Sequence, residues 1–211
     1  MPSRRTIINV SFIWFLVLSL ISVQSVAAPL DTESLFAKLK ESIVQVKISN
    51  IHSGEKSSIG SGFLITNYHV ISSVVREPEN YRAELILHSG DTRSVSIVDI
   101  ELIHDLALLK SEIKPAKWLR SHPGRVKKGT EIASIGNPHD LGMTVVKGSY
   151  SGRLEGSLYK RIHFTGAINP GMSGGPVVNA AGEVIGVNVA TAGNEVGFLV
   201  PAEYARTLLG K

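Results

Sequence analysis

A serine set between glycines is the feature of this sequence with the clearest chemical potential. Residues 169–176 read Asn-Pro-Gly-Met-Ser-Gly-Gly-Pro, with Ser173 at the centre. An acyl-transfer enzyme presents its nucleophilic hydroxyl on a tight turn, with backbone N–H groups directed at the oxyanion that develops. Glycines suit such a turn because side chains there would obstruct the substrate carbonyl. The same residues also form ordinary turns between strands, so this motif alone favours neither interpretation.

A nucleophilic serine needs a base and an orienting acid, and both are available upstream. Of the seven histidines, only His69 lies just beyond the end of a predicted buried strand, the run at 59–66. A rigid strand in this position could hold the imidazole ring in a fixed orientation. Asp105 begins the apolar run at 106–109, where a carboxylate is costly unless it has a partner such as a histidine ring N–H. The chain order His69, Asp105, Ser173 is that of the chymotrypsin-type triad. We therefore predict a base, an acid and a nucleophile at these three positions.

A competing interpretation of the serine motif fails on residue order. Residues 171–175 also match the G-x-S-x-G nucleophile elbow of α/β-hydrolases. That fold needs an acid and then a histidine after the serine. The last histidine of this chain is His163, so the elbow interpretation is excluded.

The first 28 residues have the pattern of a secretory signal. Arg4 and Arg5 precede an apolar run at 7–23, and the small residues of Ala27-Ala28 follow it. This pattern predicts cleavage after Ala28 and a mature domain at 29–211 that is periplasmic or secreted. The run is also near the length that spans a bilayer, so retention as an outward-facing membrane anchor stays open.

Charge and composition exclude several other classes of function. Removing Arg4 and Arg5 lowers the formal net charge from +4 to +2, too small a surplus to indicate nucleic acid binding. The basic residues between 111 and 129 are accompanied by one aromatic, Trp118, rather than by a series of interleaved aromatics, which favours a solvated face. No H-E-x-x-H spacing is present, so we expect neither a metal nor another cofactor. With no cysteine, the domain must be held together by its core.

Short apolar runs separated by turn residues dominate the rest of the chain. They predict strands from residue 43 to residue 200, helices at 31–39 and 201–209, and one helical turn at 70–75. Such a pattern is typical of an all-β barrel or sandwich. The proline-containing stretch at 111–129 is predicted to connect two halves.

Five ordered segments resemble the HtrA/Deg trypsin-like serine proteases. The segments at 66–70, 104–110 and 168–176 are similar to the three catalytic blocks of that family, and those at 135–138 and 197–201 to its second-barrel segments. The resemblance implies two six-stranded β-barrels of the trypsin-like type with short terminal helices, barrel one at about 42–115 and barrel two at about 128–201. His69 and Asp105 would come from the first barrel and Ser173 from the second.

The resemblance also implies a mechanism and a specificity. The N–H groups of Gly171 and Ser173 would form the oxyanion hole. Polypeptide substrate would pair along the strand edge at 188–190, and the uncharged primary specificity pocket would favour cleavage after small or medium aliphatic residues. The residues assigned to substrate binding are Ala167, Ile168, Asn188, Val189 and Ala190. Members of the family are often trimers, but the sequence leaves the oligomeric state unknown.

Three departures from the family bear on function. Members usually carry C-terminal PDZ domains, and we expect none here because the chain ends soon after the catalytic domain. Met172 replaces a usual asparagine and Gly166 a usual acid. Met172 cannot pair with a freed N-terminus as the aspartate of zymogen-type trypsins does, so activation by N-terminal cleavage is not expected. The main prediction is a serine endopeptidase, and the alternative is a catalytically idle trypsin-like fold that binds peptides or acts as a chaperone.

Overall fold

The computed structural model describes residues 29–50, 62–111, 118–193 and 195–210. The expected leader, most of the loop expected at 50–58 and part of the predicted connection lie outside them. Across these four ranges, no helix has the length and hydropathy needed to cross a membrane.

Antiparallel strands form the first half of the described chain. It contains helix α1 (Thr32–Leu39), a short 3-10 helix (Lys40–Ser42) and helix α2 (Tyr68–Arg76). The strands are β1 (Gln45–Asn50), β2 (Gly62–Thr66), β3 (Tyr81–Ile86), β4 (Thr92–Glu101) and β5 (Leu106–Ser111). They pair in the order β1-β3-β4-β5-β2. Over the described residues, the first half is thus a five-stranded sheet, where the resemblance implied a six-stranded barrel.

The second half closes into a barrel of six antiparallel strands, as expected. Its strands are β6 (Glu131–Gly136), β7 (Thr144–Arg153), β8 (Ile162–Phe164), β9 (Pro176–Val178), β10 (Val184–Thr191) and β11 (Gly197–Pro201), followed by helix α3 (Ala202–Leu209). A short 3-10 helix (Pro138–Asp140) joins β6 to β7. The strand order is β10-β11-β8-β7-β6-β9, with the first and last strands paired. Closure gives each of the six strands a neighbouring strand on both sides, and the pairing of β10 with β9 covers only the first part of β10, from Val184 to Val187.

Phe164 fills the centre of the second barrel because two glycines make room for its ring. The side chain is fully buried among aliphatic residues of the same barrel. A Cβ on Gly166 would overlap the Phe164 ring, and one on Gly148 would lie 2.8 Å from its Cζ atom. The absence of an acid at position 166 therefore has a packing reason. Any side chain there would compete with Phe164 for the same space.

A shared core joins the two halves. Leu106 and Leu108 of β5 pack with Val187 and Val200 of the second barrel and with Leu208 of α3. Helix α1 covers another face of the second barrel through two buried leucines and begins at its N-cap, Asp31. Because β5 directly follows Asp105, the interface between the halves also carries the candidate acid.

Candidate active site

The side chain of Asp105 contacts both the ring and the backbone of His69. Its Oδ2 atom lies 2.7 Å from Nδ1 of His69, and its Oδ1 atom accepts the His69 backbone N–H at 2.8 Å. His69 lies in the first turn of α2, where backbone N–H groups have no partner within the helix. The N-cap residue, Asn67, makes no side-chain capping bond. Asp105 therefore caps α2 and orients the imidazole with one carboxylate.

The backbone of Asp105 is fixed from several sides. Its carbonyl accepts hydrogen bonds from the Tyr68 N–H at 3.1 Å and from the amide nitrogen of buried Asn67 at 2.9 Å. Its φ of +60° lies in the left-handed region, which aspartate tolerates better than most residues. The carbonyl of the preceding residue, His104, accepts from Arg161 of the second barrel. The position of the acid thus depends on both halves of the fold.

Two glycines allow the Ser173 turn to pack closely against its surroundings. Gly171 has a φ of +93° and Gly174 a φ of +81°, both in the left-handed region. A Cβ on Gly171 would overlap the carbonyl oxygen of Asn137, and one on Gly174 would overlap the Thr66 hydroxyl of β2. The turn that carries Ser173 therefore lies directly against the strand that leads to His69.

Two anchored carbonyls determine where the candidate oxyanion donors point. The Pro170 oxygen accepts from the His139 N–H at 2.8 Å, and the Met172 oxygen accepts from the Gly175 N–H at 3.1 Å. No peptide bond in the described chain is cis, and in a trans peptide the C=O and the N–H point in opposite directions. The N–H groups of Gly171 and Ser173 therefore point away from these contacts. Neither N–H makes a hydrogen bond to another described residue.

Core packing explains how the turn is ordered with methionine at position 172. The Met172 side chain is fully buried in the second-barrel core. Its Cα would lie 2.8 Å from a Cβ on Gly136, so only glycine there permits the contact. A buried side-chain amide at position 172 would need a hydrogen-bond partner, which the apolar side chains of this core cannot supply. Methionine instead fixes the turn by apolar burial.

The candidate base and nucleophile line one cavity of about 1060 Å³ between the two halves. His69 is exposed and Ser173 half-buried, and the Ser173 hydroxyl makes no hydrogen bond to any other described residue. Hydrogen bonds between catalytic groups are often long in proteins that have no bound substrate. The hydroxyl is thus free to meet a ligand in the cavity.

The residues predicted to bind substrate divide into two groups. Ile168 and Ala190 line the cavity, whereas Ala167 and Val189 are not among its lining residues. Asn188 is buried, with its N–H bonded to Gly175 at 2.9 Å and its carbonyl to Gly174 at 3.0 Å. Because its backbone is already paired with the Ser173 turn, Asn188 is unavailable to a substrate strand.

Several polar residues at the site make contacts for which the sequence predicted no role. They are Thr66, Asn67, Ser134 and Arg161, together with the side chain of Asn188. Ser134 and Asn188 are both fully buried polar residues within strands of aliphatic residues. A polar residue inside an apolar run is the signal that could have found these two, since burying it requires a hydrogen-bond partner.

Comparisons with known proteins agree with this geometry. Residues 55–187 match the family described as trypsin-like peptidase domain. The chain is 35% identical to serine protease HTRA3 of Homo sapiens over 155 residues, 68% of this chain and 34% of that protein. It is 29% identical to serine protease Do-like HtrB of Bacillus subtilis over 83% of this chain and 46% of that one. A probable periplasmic serine endoprotease DegP-like of Chlamydia muridarum is 30% identical over 70% of this chain and 31% of its own length.

A solved structure matches the fold as well. The crystal structure of Deg5 superposes with a TM-score of 0.69 at 25% identity, covering 83% of this chain and 90% of that chain. The chain spans between about a third and a half of the length of the curated relatives named above. By its matched residues and its fold, this chain belongs to the trypsin-like peptidase family and is similar to the HtrA and Deg proteases.

Proposed function

We propose that this chain is a serine endopeptidase in which Ser173 attacks the peptide carbonyl to form an acyl-enzyme. His69 accepts the hydroxyl proton and later donates it to the leaving amine, while Asp105 holds the ring and stabilises its charged form. Water then attacks the acyl-enzyme while the His69 ring takes one of its protons, and the ring passes that proton to the Ser173 oxygen as the acyl–oxygen bond breaks. The observation that carries the proposal is that the Asp105-bound imidazole and Ser173 line one cavity.

The N–H groups of Gly171 and Ser173, neither of which bonds to another described residue, are the proposed oxyanion hole. Preorganised donors stabilise the charge that forms on the carbonyl oxygen, at about 3 kcal/mol for each donor. They act in the transition state, so we expect their loss to lower kcat more than it raises KM.

Cleavage after small or medium aliphatic residues is the proposed specificity. Ile168 is almost fully buried, and its side chain packs against Gly197, where a Cβ would lie 2.7 Å from its Cδ1 atom. The Ile168 side chain therefore forms an apolar wall, which supports a shallow and uncharged pocket for the substrate side chain.

Residues 189–191 are the proposed edge for an added substrate strand. This edge begins one residue later than the sequence predicted, because the Asn188 backbone is already hydrogen-bonded.

Covalent labelling tests the activity. A fluorophosphonate probe should label the wild-type protein at Ser173 and leave Ser173→Ala unlabelled. A folded wild-type protein that resists labelling and cleaves no unfolded polypeptide would instead favour the idle peptide-binding fold. A peptide library should show cleavage mainly after alanine, valine and similar residues, and dominant cleavage after lysine, arginine or glutamate would contradict the proposed pocket.

We also propose export to the periplasm or the exterior, which the predicted leader and the name of the DegP-like relative support. The mass of the mature N-terminus distinguishes cleavage after Ala28 from a retained membrane anchor.

Polypeptides are the proposed substrates. Sedimentation would test the trimer that the family resemblance suggests.

A further inference from the structure

The side chain of Asn188 bonds to the peptide that precedes the nucleophile. Its amide nitrogen donates to the Met172 carbonyl at 3.1 Å, and its Oδ1 atom accepts the Ser134 hydroxyl at 3.0 Å. Asn188 lies on β10 and Ser134 on β6, and both side chains are fully buried. The two residues thus form a polar connection through the interior of the second barrel to the Ser173 turn.

The chemistry of the partners determines the orientation of this amide. The Met172 carbonyl can only accept a hydrogen bond, so the amide nitrogen must face it. The amide oxygen then faces Ser134, whose hydroxyl donates. With both ends of the amide satisfied, Asn188 cannot rotate without leaving buried polar atoms unpaired.

We propose that Asn188, held by Ser134, is a positioning residue that directs the N–H of Ser173 into the oxyanion hole. The Met172 carbonyl and the Ser173 N–H belong to one planar peptide, so fixing the oxygen also fixes the direction of the N–H. The Gly175 N–H supplies only one of the two bonds to that oxygen, and Asn188 supplies the other. This inference rests on the proposed function, since it assigns a role within the same site.

The backbone of Asn188 reinforces this role. Its N–H and C=O bond to Gly175 and Gly174, so three bonds tie this residue to the segment that flanks the nucleophile. Replacing the side chain leaves the two backbone bonds in place. A side-chain variant therefore tests the amide alone.

The experiment compares Asn188→Ala and Ser134→Ala with the wild type. The control is Ser111→Ala, because Ser111 is equally buried and its hydroxyl donates one 3.0 Å bond to Ser94 in the first sheet. The rate constant for fluorophosphonate labelling and the kcat and KM for a fluorogenic alanine-containing peptide are measured for each variant. Circular dichroism and urea unfolding identify variants that do not fold.

Complete loss of one oxyanion donor lowers kcat by about 10² to 10³. A misdirected donor should cost less, so we expect Asn188→Ala to lower kcat and the labelling rate by about tenfold to a hundredfold. Ser134→Ala should lower both by about three- to tenfold, with KM within about twofold of wild type. Ser111→Ala should change neither. Wild-type rates in a folded Asn188→Ala variant, or an equal loss in Ser111→Ala, would overturn the proposal, and Ser134→Ala decides it if Asn188→Ala does not fold.

An amide-exchange measurement separates this inference from the proposed function. The Gly175 N–H shares the Met172 oxygen with Asn188, so its hydrogen exchange by NMR should accelerate in Asn188→Ala and remain at the wild-type rate in Ser111→Ala. This readout does not require catalysis. If the wild type resists labelling but Gly175 exchange accelerates, the proposed function fails while the positioning contact stands. If exchange is unchanged, the positioning role fails whatever the activity.

Discussion

Nη1 of Arg161 lies 2.9 Å from the backbone oxygen of His104, the residue directly before Asp105. Arg161 precedes β8 of the second barrel, whereas His104 lies in the turn between β4 and β5 of the first sheet. The His104 ring also stacks on Tyr204 of α3, with the ring centroids 3.5 Å apart, and its Nδ1 atom lies 2.7 Å from Glu101. The loop that carries the candidate acid is therefore attached to the second half of the chain at two points, Arg161 and Tyr204.

Arg161→Met should lower kcat while leaving KM nearly unchanged. Methionine keeps an apolar stem but loses the donor to the His104 carbonyl, so the Asp105 loop loses one attachment to the other barrel. Burial lowers the pKa of Arg161, and the carboxylates of Asp105 and Glu101 oppose this shift. A guanidinium nevertheless stays charged in proteins. The substitution therefore removes a charged hydrogen-bond donor. Small displacements of catalytic groups cost up to about 10²-fold, and we expect about tenfold here.

Steady-state kinetics with a peptide substrate would measure this effect. Arg153→Met is the matched control, because Arg153 lies in the same barrel and pairs with Glu203 rather than with the loop of the acid. An equal loss of activity in both variants would argue for a general effect on the fold. Unchanged kcat in a folded Arg161→Met would contradict the prediction.

Asp105→Ala and Ser173→Ala should differ in stability although both abolish activity. Asp105 caps α2 through the His69 N–H, and losing a cap costs about 1 kcal/mol. The Ser173 hydroxyl bonds to no described residue, so Ser173→Ala should leave the free energy of unfolding within about 0.5 kcal/mol of wild type. Urea unfolding of the two inactive variants measures the difference. Equal midpoints would contradict the capping role.

Gly166→Ala should destabilise the protein through the Phe164 ring, which an added Cβ would overlap. Overpacking of this kind costs about 1–3 kcal/mol. Combining Gly166→Ala with Phe164→Leu should give less than the sum of the two single losses, because the smaller side chain leaves room for the Cβ. Gly124→Ala is the control, since its nearest contact would be an ordinary 3.4 Å from His122. Additive losses measured by urea unfolding would exclude the steric explanation.

The ion pair between Arg153 and Glu203 should contribute to stability at neutral pH and not in acid. Their closest atoms are 2.8 Å apart, and the hydrogen bond from Arg153 holds the pKa of Glu203 below its ordinary value of 4.5. A lowered folded pKa gives stabilisation that is complete above the unfolded pKa and is lost as pH falls through the folded one. Because both side chains are more than two-fifths exposed, the contribution should stay below about 1 kcal/mol.

Urea unfolding of Glu203→Gln and wild type at about pH 7 and about pH 3 would measure this contribution. The two should differ at the higher pH and converge at the lower one. Glu33→Gln is the matched control, because Glu33 also lies in a first helical turn but has no ion pair with a described residue. A difference that persists in acid would show that Glu203 acts by packing rather than by charge.

Local pattern was sufficient to predict the strands and the terminal helices of this fold, whereas the single helical turn predicted at 70–75 is a helix of nine residues, α2. The alternating and continuous apolar runs correspond to the observed strands within a few residues, and Asp31 begins α1 as its capping pattern indicated. These features depend on neighbours within a few positions, so they can be predicted from the sequence alone. The three candidate catalytic residues could also be named, since each stands at the end of such a run or in a glycine-rich turn.

Contacts between residues far apart in sequence determined how the site is held together and how the strands pair. The bond between Ser134 and Asn188 joins residues 54 apart in sequence, and the contact of Asp105 with His69 joins residues 36 apart. The same is true of the attachment of Arg161 to the acid loop, and of the pairing order of the five described strands in the first sheet. No periodicity encodes such pairings, because they depend on which buried polar atoms meet once the barrels have packed. The sequence by itself therefore determined the candidate reacting groups, and only the tertiary structure determined what holds them in position.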